Sequence, residues 1–202
     1  MSKIKSALEL ALERSADIKV DRRAVSREMF VHRGKTSAGR FLSDEDDDSV
    51  REEIRALFGE EREWFKEGLS ANLLANISLP HSEEDLRRLD LIGRGLRCMV
   101  KDAGAAKDLE YLMDRYGDLF RQYLENARSL ESQLRAQWDA RLRQKEEQLR
   151  QKLGYTVRLT AEQDPEFGKT LGEQLAELDS QYAEILSQGK SQIRGLVQQG
   201  SR

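Results

Sequence analysis

The sequence predicts an all-α protein, with a helical N-terminal part and a long antiparallel, coiled-coil-like helical hairpin that has a short extended connector. Two observations indicate this fold class. Charged residues make up 35% of the 202 residues, aromatic residues make up 6% and there are two prolines, a composition typical of long helices. In addition, a helical pattern runs from about Lys107 to Leu153, stops at a short break and resumes at Phe167. A long helix, a short break and a second long helix predict two helices that pack antiparallel.

The charge distribution divides the chain into parts. Residues 1–40 carry ten Lys or Arg against five Asp or Glu, whereas residues 41–70 carry four against eleven. A run of acidic residues cannot be buried, so it predicts an exposed spacer and a boundary. We therefore predict four parts: a basic helical arm at 1–43, an acidic linker at 44–48, a helical segment at 49–104 and the long helical hairpin at 105–202.

The basic arm is expected to begin with a helix over about residues 2–15. Its apolar residues fall on one stripe at helical spacing, namely Ile4, Leu8 and Leu12. A less regular stretch follows at 24–42, where Gly34 and Gly39 weaken the prediction of a continuous helix.

Two further helices are predicted before the hairpin. Ser49 and Glu52 form a capping box, which places the start of one helix at Ser49. Pro80 ends that segment, and the acidic residues after Ser82 start the next helix. Gly104 is then expected at the C-terminal end of this helix, because glycine is favoured just past the last turn.

The two long helices have different apolar periods. The first shows an 11-residue repeat at Tyr116, Ala127, Trp138 and Leu149. The second has heptad-like spacings at Leu171, Leu175, Leu178, Tyr182 and Ile185. A helix over 107–153 would be about 70 Å long at 1.5 Å per residue. Because the periods differ, we expect close pairing over part of the seam.

The connector carries the first candidate site. Tyr155, Val157 and Leu159 alternate with polar residues, which predicts a short strand that pairs with a second copy or with a partner's edge; the alternative is an extended loop. Trp138 is added to these candidate partner-binding residues, because a two-helix arm has little core to bury an indole; the alternative is that Trp138 packs in the core.

The basic arm carries the second candidate site. Basic side chains beside an aromatic ring can follow a nucleic-acid backbone, and this pattern predicts RNA or ribosome binding. The alternative is that these charges are neutralised by the protein's own acidic run at 44–48 or by a partner's acidic surface. The candidate residues, which surround Phe30, are Arg22, Arg23, Arg27, Arg33, Lys35 and Arg40.

Phosphate binding by a P-loop is not expected. Gly34-Lys35-Thr36 and Gly168-Lys169-Thr170 both end like that motif. However, the glycine required five residues before each Gly-Lys pair is replaced by Met29 or Gln163. Neither tripeptide follows a buried strand, so the pattern excludes a phosphate-cradling loop.

Metal and catalytic motifs are also not expected. The acidic run starts like a calcium loop, but positions 6 and 12 hold Ser49 and Arg55 instead of glycine and glutamate. His32 and His81 have no further ligands at metal-binding spacing. The single cysteine, Cys98, lies in an apolar helical run and is expected to pack as a small hydrophobe. We therefore expect no catalytic residues, no cofactor and no metal.

Together these observations predict a non-enzymatic cytoplasmic interaction or scaffold protein, such as an adaptor, assembly or chaperone-like factor, that forms homo-oligomers. No apolar segment is long enough to span a membrane, and no export signal precedes the first helix. No small-molecule substrate is expected, and an RNA- or ribosome-associated factor is the alternative. In shape alone, residues 107–197 resemble the hairpins of prefoldin-type chaperones and the peripheral-stalk coiled coils of rotary ATPases.

Overall fold

The computed structural model describes residues 22–200, which form six α-helices and one 3₁₀-helix with no β-strand. The predicted all-α class is therefore confirmed, while the helix predicted at 2–15 lies outside the described residues. In chain order the helices are α1 (Arg22–Asp44), α2 (Asp47–Ala56), α3 (Gly59–Ala75), α4 (Glu84–Arg97), α5 (Ala103–Leu153), the 3₁₀-helix (Ala161–Gln163) and α6 (Pro165–Gly200).

The first helix, α1, is continuous, and its glycines do not interrupt it as the sequence suggested. Gly34 instead lies against α3, where an added Cβ would be 2.0 Å from the carbonyl oxygen of Phe65. The contact is reciprocal, because a Cβ on Gly68 of α3 would be 2.0 Å from the carbonyl oxygen of Val31. The two backbones therefore approach at a distance that only glycine permits.

The acidic run joins α1 to α2 in a tight turn. The Asp46 side chain accepts hydrogen bonds from two following backbone amides and is the N-cap of α2, so the cap predicted at Ser49 is wrong. Arg94 of α4 binds the Asp47 carboxylate at 2.9 Å and the Glu45 carbonyl at 3.2 Å. The hydrogen bond and charge of Asp47 raise the pKa of the Arg94 guanidinium. These residues therefore hold α4 in place, whereas the sequence suggested a solvated spacer.

The main core lies where α1, α3 and α4 meet the near ends of the two long helices. On α5 it extends as far as Phe120, and on α6 it covers Leu186, Ile193 and Val197. Its fully buried large side chains include Phe41, Phe65, Leu69, Leu73, Leu74, Ile92, Leu96 and Met99. This burial is the main source of stabilisation for the short helices, which alone would be marginal in water.

The long helix α5 begins before the position that the sequence indicated. α4 ends at Arg97, and Asp102 is the N-cap of α5, accepting a hydrogen bond from the Ala105 amide at 2.7 Å. The prediction that Gly104 ends α4 is therefore wrong, because Gly104 lies in the first turn of α5. The helix contains 51 residues, about 77 Å at 1.5 Å per residue, and ends at Gly154 with φ 75°.

Contacts between α5 and α6 occur along much of their length. As residue numbers rise on α5, the residues contacted on α6 fall: Tyr116 contacts Leu186, Tyr123 contacts Asp179 and Trp138 contacts Phe167. The apolar side chains between the helices form separate clusters beyond the main core. Within residues 22–200, the helices lack any stretch long and apolar enough to cross a membrane.

Candidate protein-interaction surface

Trp138 is buried by this chain, with 6% of its surface exposed. Its ring centroid lies 5.7 Å from that of Phe167, edge to face. Trp138 is therefore a core residue, as the alternative held, and no partner is needed to cover it, because the chain after α5 folds back and supplies Phe167 and Ala161. We call this group the outer cluster; it comprises Leu134, Trp138, Leu142, Ala161 and Phe167.

The connector between α5 and α6 is held by side-chain hydrogen bonds. Glu146 of α5 accepts a hydrogen bond from the Leu159 amide at 2.7 Å. Thr160 and Gln163 form a capping box that starts the 3₁₀-helix. Residues 155–160 contain no strand, so the extended-loop interpretation is confirmed. Leu159 is half-buried and packs against the outer cluster.

Charged side chains surround the outer cluster. Lys145 binds Asp164 at 3.0 Å, while Arg135 binds Glu131 at 2.8 Å and also Glu162. The Arg141 guanidinium lies 4.6 Å from the Trp138 ring. The pairs Arg135–Glu162 and Lys145–Asp164 therefore attach the connector to α5.

Asp164 binds the Lys145 side chain and accepts a hydrogen bond from the backbone amide of Glu166. The hydrogen bond from Lys145 is the main cause that lowers its pKa, and the backbone amide of Glu166 also contributes. The buried indole N–H of Trp138 makes no hydrogen bond of good geometry, but it lies close enough to lower the pKa of Asp164 further. Pro165 follows as the first residue of α6, a position where its missing amide hydrogen costs nothing.

The far end of the α5–α6 pair exposes apolar side chains. Leu153 is 48% exposed and Tyr155 is 61% exposed, while Val157 is half-buried. We call residues 153–157 the tip. Of the four predicted partner-binding residues, Trp138 and Leu159 lie in or against the outer cluster, whereas Tyr155 and Val157 lie at the tip. Sequence reasoning missed Leu153 as a site residue, although its 11-residue spacing from Leu142 indicated the same apolar stripe.

The basic residues of α1 lie mainly next to the chain's own glutamates. Four of the six candidates form ion pairs: Arg23 with Glu60, Arg27 with Glu67, and both Arg33 and Arg40 with Glu53. Within the described residues, Arg22 and Lys35 form no ion pair. The pairs of Arg23 and Arg27 are solvent-exposed and each contributes under about 1 kcal/mol, so they could be exchanged for other anions, whereas the Glu53 side chain that binds Arg33 and Arg40 is only 17% exposed. RNA or ribosome binding therefore stays a prediction from the sequence.

The other residues singled out by sequence do not come together. His32 lies in α1, His81 lies between α3 and α4, and both P-loop-like tripeptides lie inside helices. Across residues 22–200, no group of three His, Cys, Asp or Glu side chains is placed to hold a metal ion. Cys98 is half-buried, and burial raises the pKa of its thiol, which favours the unreactive protonated form.

These features define an all-helical protein whose exposed apolar residues include two, Leu153 and Tyr155, at the end of a long helix pair. The chain belongs to a family of unknown function (DUF6657), whose family model matches residues 51–195. The match begins within α2 and ends within α6. It covers α3, α4, all of α5 and the tip. No curated protein and no solved structure matches the chain.

Proposed function

We propose that this protein is a non-enzymatic helical interaction protein, of the adaptor, assembly or chaperone-like kind, which binds a protein partner at the tip of an antiparallel α5–α6 arm. The observation that carries the proposal is the exposure of Leu153 and Tyr155 at the far end of a 51-residue helix. A single exposed apolar side chain needs no explanation, but two that are separated by one residue at the end of a projecting element favour a contact surface.

The arm itself is inferred from where α5 leaves the other helices. Its last ion pair with α1–α4 joins Arg128 to Glu83 at 3.2 Å. Beyond that point, the ion pairs and buried clusters described for α5 involve only α6 and the connector. Residues 129–153 correspond to about 38 Å of helix at 1.5 Å per residue. We interpret this stretch and its partner α6 as a helical hairpin with a coiled-coil-like seam.

The chemistry of the tip favours a particular kind of partner. Tyr155 combines an apolar ring with a hydroxyl group, and tyrosine is enriched among the residues that dominate binding energy at protein interfaces. Lys152 and Arg158 flank the apolar residues and are both exposed. A partner with an apolar pocket rimmed by acidic side chains would therefore match the tip in shape and charge.

The test is affinity purification from the native host, with quantitative mass spectrometry, using the wild-type chain and a Leu153→Ser/Tyr155→Ala variant as baits. Tyr111→Ala is the matched control, because Tyr111 is also an exposed tyrosine on α5, at 64%. We expect partners that are retained by the wild type and the control and lost by the tip variant. The direct dissociation constant of such a partner should rise about 30-fold or more, as for a residue worth about 2 kcal/mol.

The variant leaves buried contacts intact, so its circular dichroism and melting temperature should match those of the wild type. A partner set that is unchanged in the tip variant would contradict the proposed site. It would leave the helical architecture unaffected.

A further inference from the structure

Two open grooves lie between α5 and α6. The one nearer the main core has a volume of about 310 Å³ and includes Leu119 and Ile185 in its lining. The one nearer the tip has a volume of about 400 Å³ and includes Leu130, Gln133 and Leu178. The half-exposed apolar residues in these linings are not covered by any helix described within residues 22–200.

The two grooves lie on the same side of the helix pair. Seven residues make almost two full turns of a helix, so residues seven apart share one face. The lining residues of α5 include the series Leu112, Leu119, Asn126 and Gln133. Those of α6 include the series Leu178, Ile185 and Gln192. Both helices therefore present a heptad stripe to one continuous groove.

This side of the pair is depleted of charge. Eighteen residues line the two grooves, and only Arg115 and Asp118 are charged, in a chain that is 35% charged. Depletion of charge distinguishes the centre of protein interfaces from the remaining surface. An ordinary solvent-exposed face of these helices would carry several more charged residues.

The opposite side of the helix pair carries charged side chains. Arg128 and Arg135 each come two residues after a groove residue, which places them about 200° around the helix. Arg128 binds Glu83, and Arg135 binds Glu131 and Glu162. One side of the seam is thus charged and bound to the chain's own acids, while the other side is nearly uncharged and open.

We propose that this groove binds the same groove of a second copy of the chain, forming a dimer through a four-helix bundle. The inference rests on the antiparallel pairing of α5 and α6 in the proposed function, but not on the tip. The lining is self-complementary, because its glutamine amides both donate and accept hydrogen bonds and its two charges have opposite sign. Two such surfaces can meet without an excess of like charge.

The dimensions agree with a stable dimer. The groove follows α5 from Leu112 to Gln137, about 38 Å at 1.5 Å per residue, and is two helices, about 20 Å, wide. The covered area is then roughly 760 Å² per copy, close to the about 800 Å² per partner of a standard specific interface. Heptad stripes on both helices also provide the spacing that four-helix packing requires.

The first test is the mass of the purified chain in solution, by light scattering and sedimentation across a wide range of protein concentrations. We expect the wild type to have twice the 23.2 kDa mass of one chain. An Ile185→Glu/Gln133→Glu variant places carboxylates in both parts of the groove and should raise the dimer dissociation constant about 100-fold or more. The matched control is Ser132→Glu/Ser187→Glu, which adds the same charge at exposed positions on the same helices, outside the groove linings.

A wild type that is monomeric at all concentrations, or that forms any stoichiometry other than a dimer, would overturn the proposal. So would a groove variant that dimerises as tightly as the control. Ile185 is 51% exposed and Gln133 is exposed, so both substitutions should leave the monomer folded.

A second readout does not depend on charged variants. In a Cys98→Ser background, the thiol of a Gln122→Cys variant, which lines the groove, should react with a thiol reagent more slowly as protein concentration rises. The thiol of a Ser132→Cys variant should react at a rate independent of concentration, and a Gln122→Cys rate that is equally independent of concentration would contradict the dimer. These assays use purified protein with an unchanged tip, so their failure is separate from a failure of partner binding at Tyr155.

Discussion

The close crossing of α1 and α3 allows a quantitative prediction for Gly34→Ala. The added methyl carbon would lie 2.0 Å from the Phe65 carbonyl oxygen and 2.8 Å from the Leu69 backbone nitrogen. Both atoms belong to the backbone of α3 and cannot move aside as a flexible side chain could. Since carbon and oxygen atoms normally approach to about 3.3 Å, the helices must separate locally by about 1.3 Å.

The energetic cost follows from the packing around this crossing. Phe65 and Leu69 are fully buried, and a gap of 0.5–1 Å already removes about a quarter to a half of the dispersion attraction across it. Overpacking usually costs up to about 3 kcal/mol, and we take that upper value because the clash is with backbone atoms. The higher helix propensity of alanine offsets about 1 kcal/mol of that cost. We therefore expect Gly34→Ala to lower the free energy of unfolding by about 2 kcal/mol.

Gly39→Ala is the matched control in the same helix. A Cβ at Gly39 would meet no atom within 4 Å, so this variant should gain the full propensity term, about 1 kcal/mol. Urea unfolding followed by circular dichroism at 222 nm, an amide signal of helices, should therefore separate the two variants by about 3 kcal/mol. At about 2–4 °C per kcal/mol for a chain of this size, their melting temperatures should differ by about 6–12 °C.

The reasoning would be refuted if Gly34→Ala were as stable as Gly39→Ala. The reciprocal glycine provides a further check. Once Gly34→Ala has separated the helices, adding Gly68→Ala should cost less than it does in the wild-type chain. Strictly additive free energies would show that the two glycines do not share one contact.

Three further predictions concern α5, α6 and the contacts between them. Trp138→Ala should lower the unfolding free energy by about 3–5 kcal/mol through loss of the outer-cluster contact with Phe167, whereas Tyr155→Ala should change it by under about 0.5 kcal/mol. Equal changes in the unfolding free energy, measured by denaturant titration, would contradict the burial described. Burial, reinforced by Asp179, raises the pKa of Tyr123 to about 12. The contribution of Tyr123 to stability is therefore complete below the unfolded pKa of about 10 and is lost as pH rises from about 10 to 12. Tyr123→Phe should reduce the loss of unfolding free energy at alkaline pH, and an unaltered pH profile would count against this cause. Lys145 lowers the pKa of Asp164, so the contribution of this carboxylate to stability is present above the ordinary value of about 3.8 and is lost as pH falls below it. Asp164→Asn, which keeps the helix cap, should therefore weaken the acid dependence of the free energy of unfolding, and an acid transition of undiminished steepness would refute the assignment.

The sequence predicted the elements that depend on local pattern. Composition and 11-residue spacing identified α5 to within a few residues, and Gly154 marked its end because a left-handed residue there favours glycine. The second long helix, α6, begins at Pro165, two residues before the predicted start at Phe167, because proline is well suited to the first helical position.

Features that depend on distant residues were not predictable in the same way. Gly34 weakens a helix in isolation, and only the position of α3 shows that it permits a close crossing. The cap of α2 is Asp46 and not Ser49, and it lies in a turn whose Asp47 carboxylate is bound by Arg94 of another helix, a contact that the local sequence does not reveal. Trp138 is buried by Phe167, 29 positions later, and that contact depends on the path of the connector.

The division of the α5–α6 contacts into separate clusters has a consequence for local stability. Tyr123, Leu124 and Tyr182 form one small group, and the outer cluster forms another, each with far fewer buried side chains than the main core. Opening the outer cluster therefore exposes little surface and needs only part of the global unfolding free energy. Amide hydrogens should exchange fastest near Leu153 and progressively more slowly toward Tyr116, so the end of the chain's longest helix can rearrange while the helices around Phe41 and Phe65 remain folded.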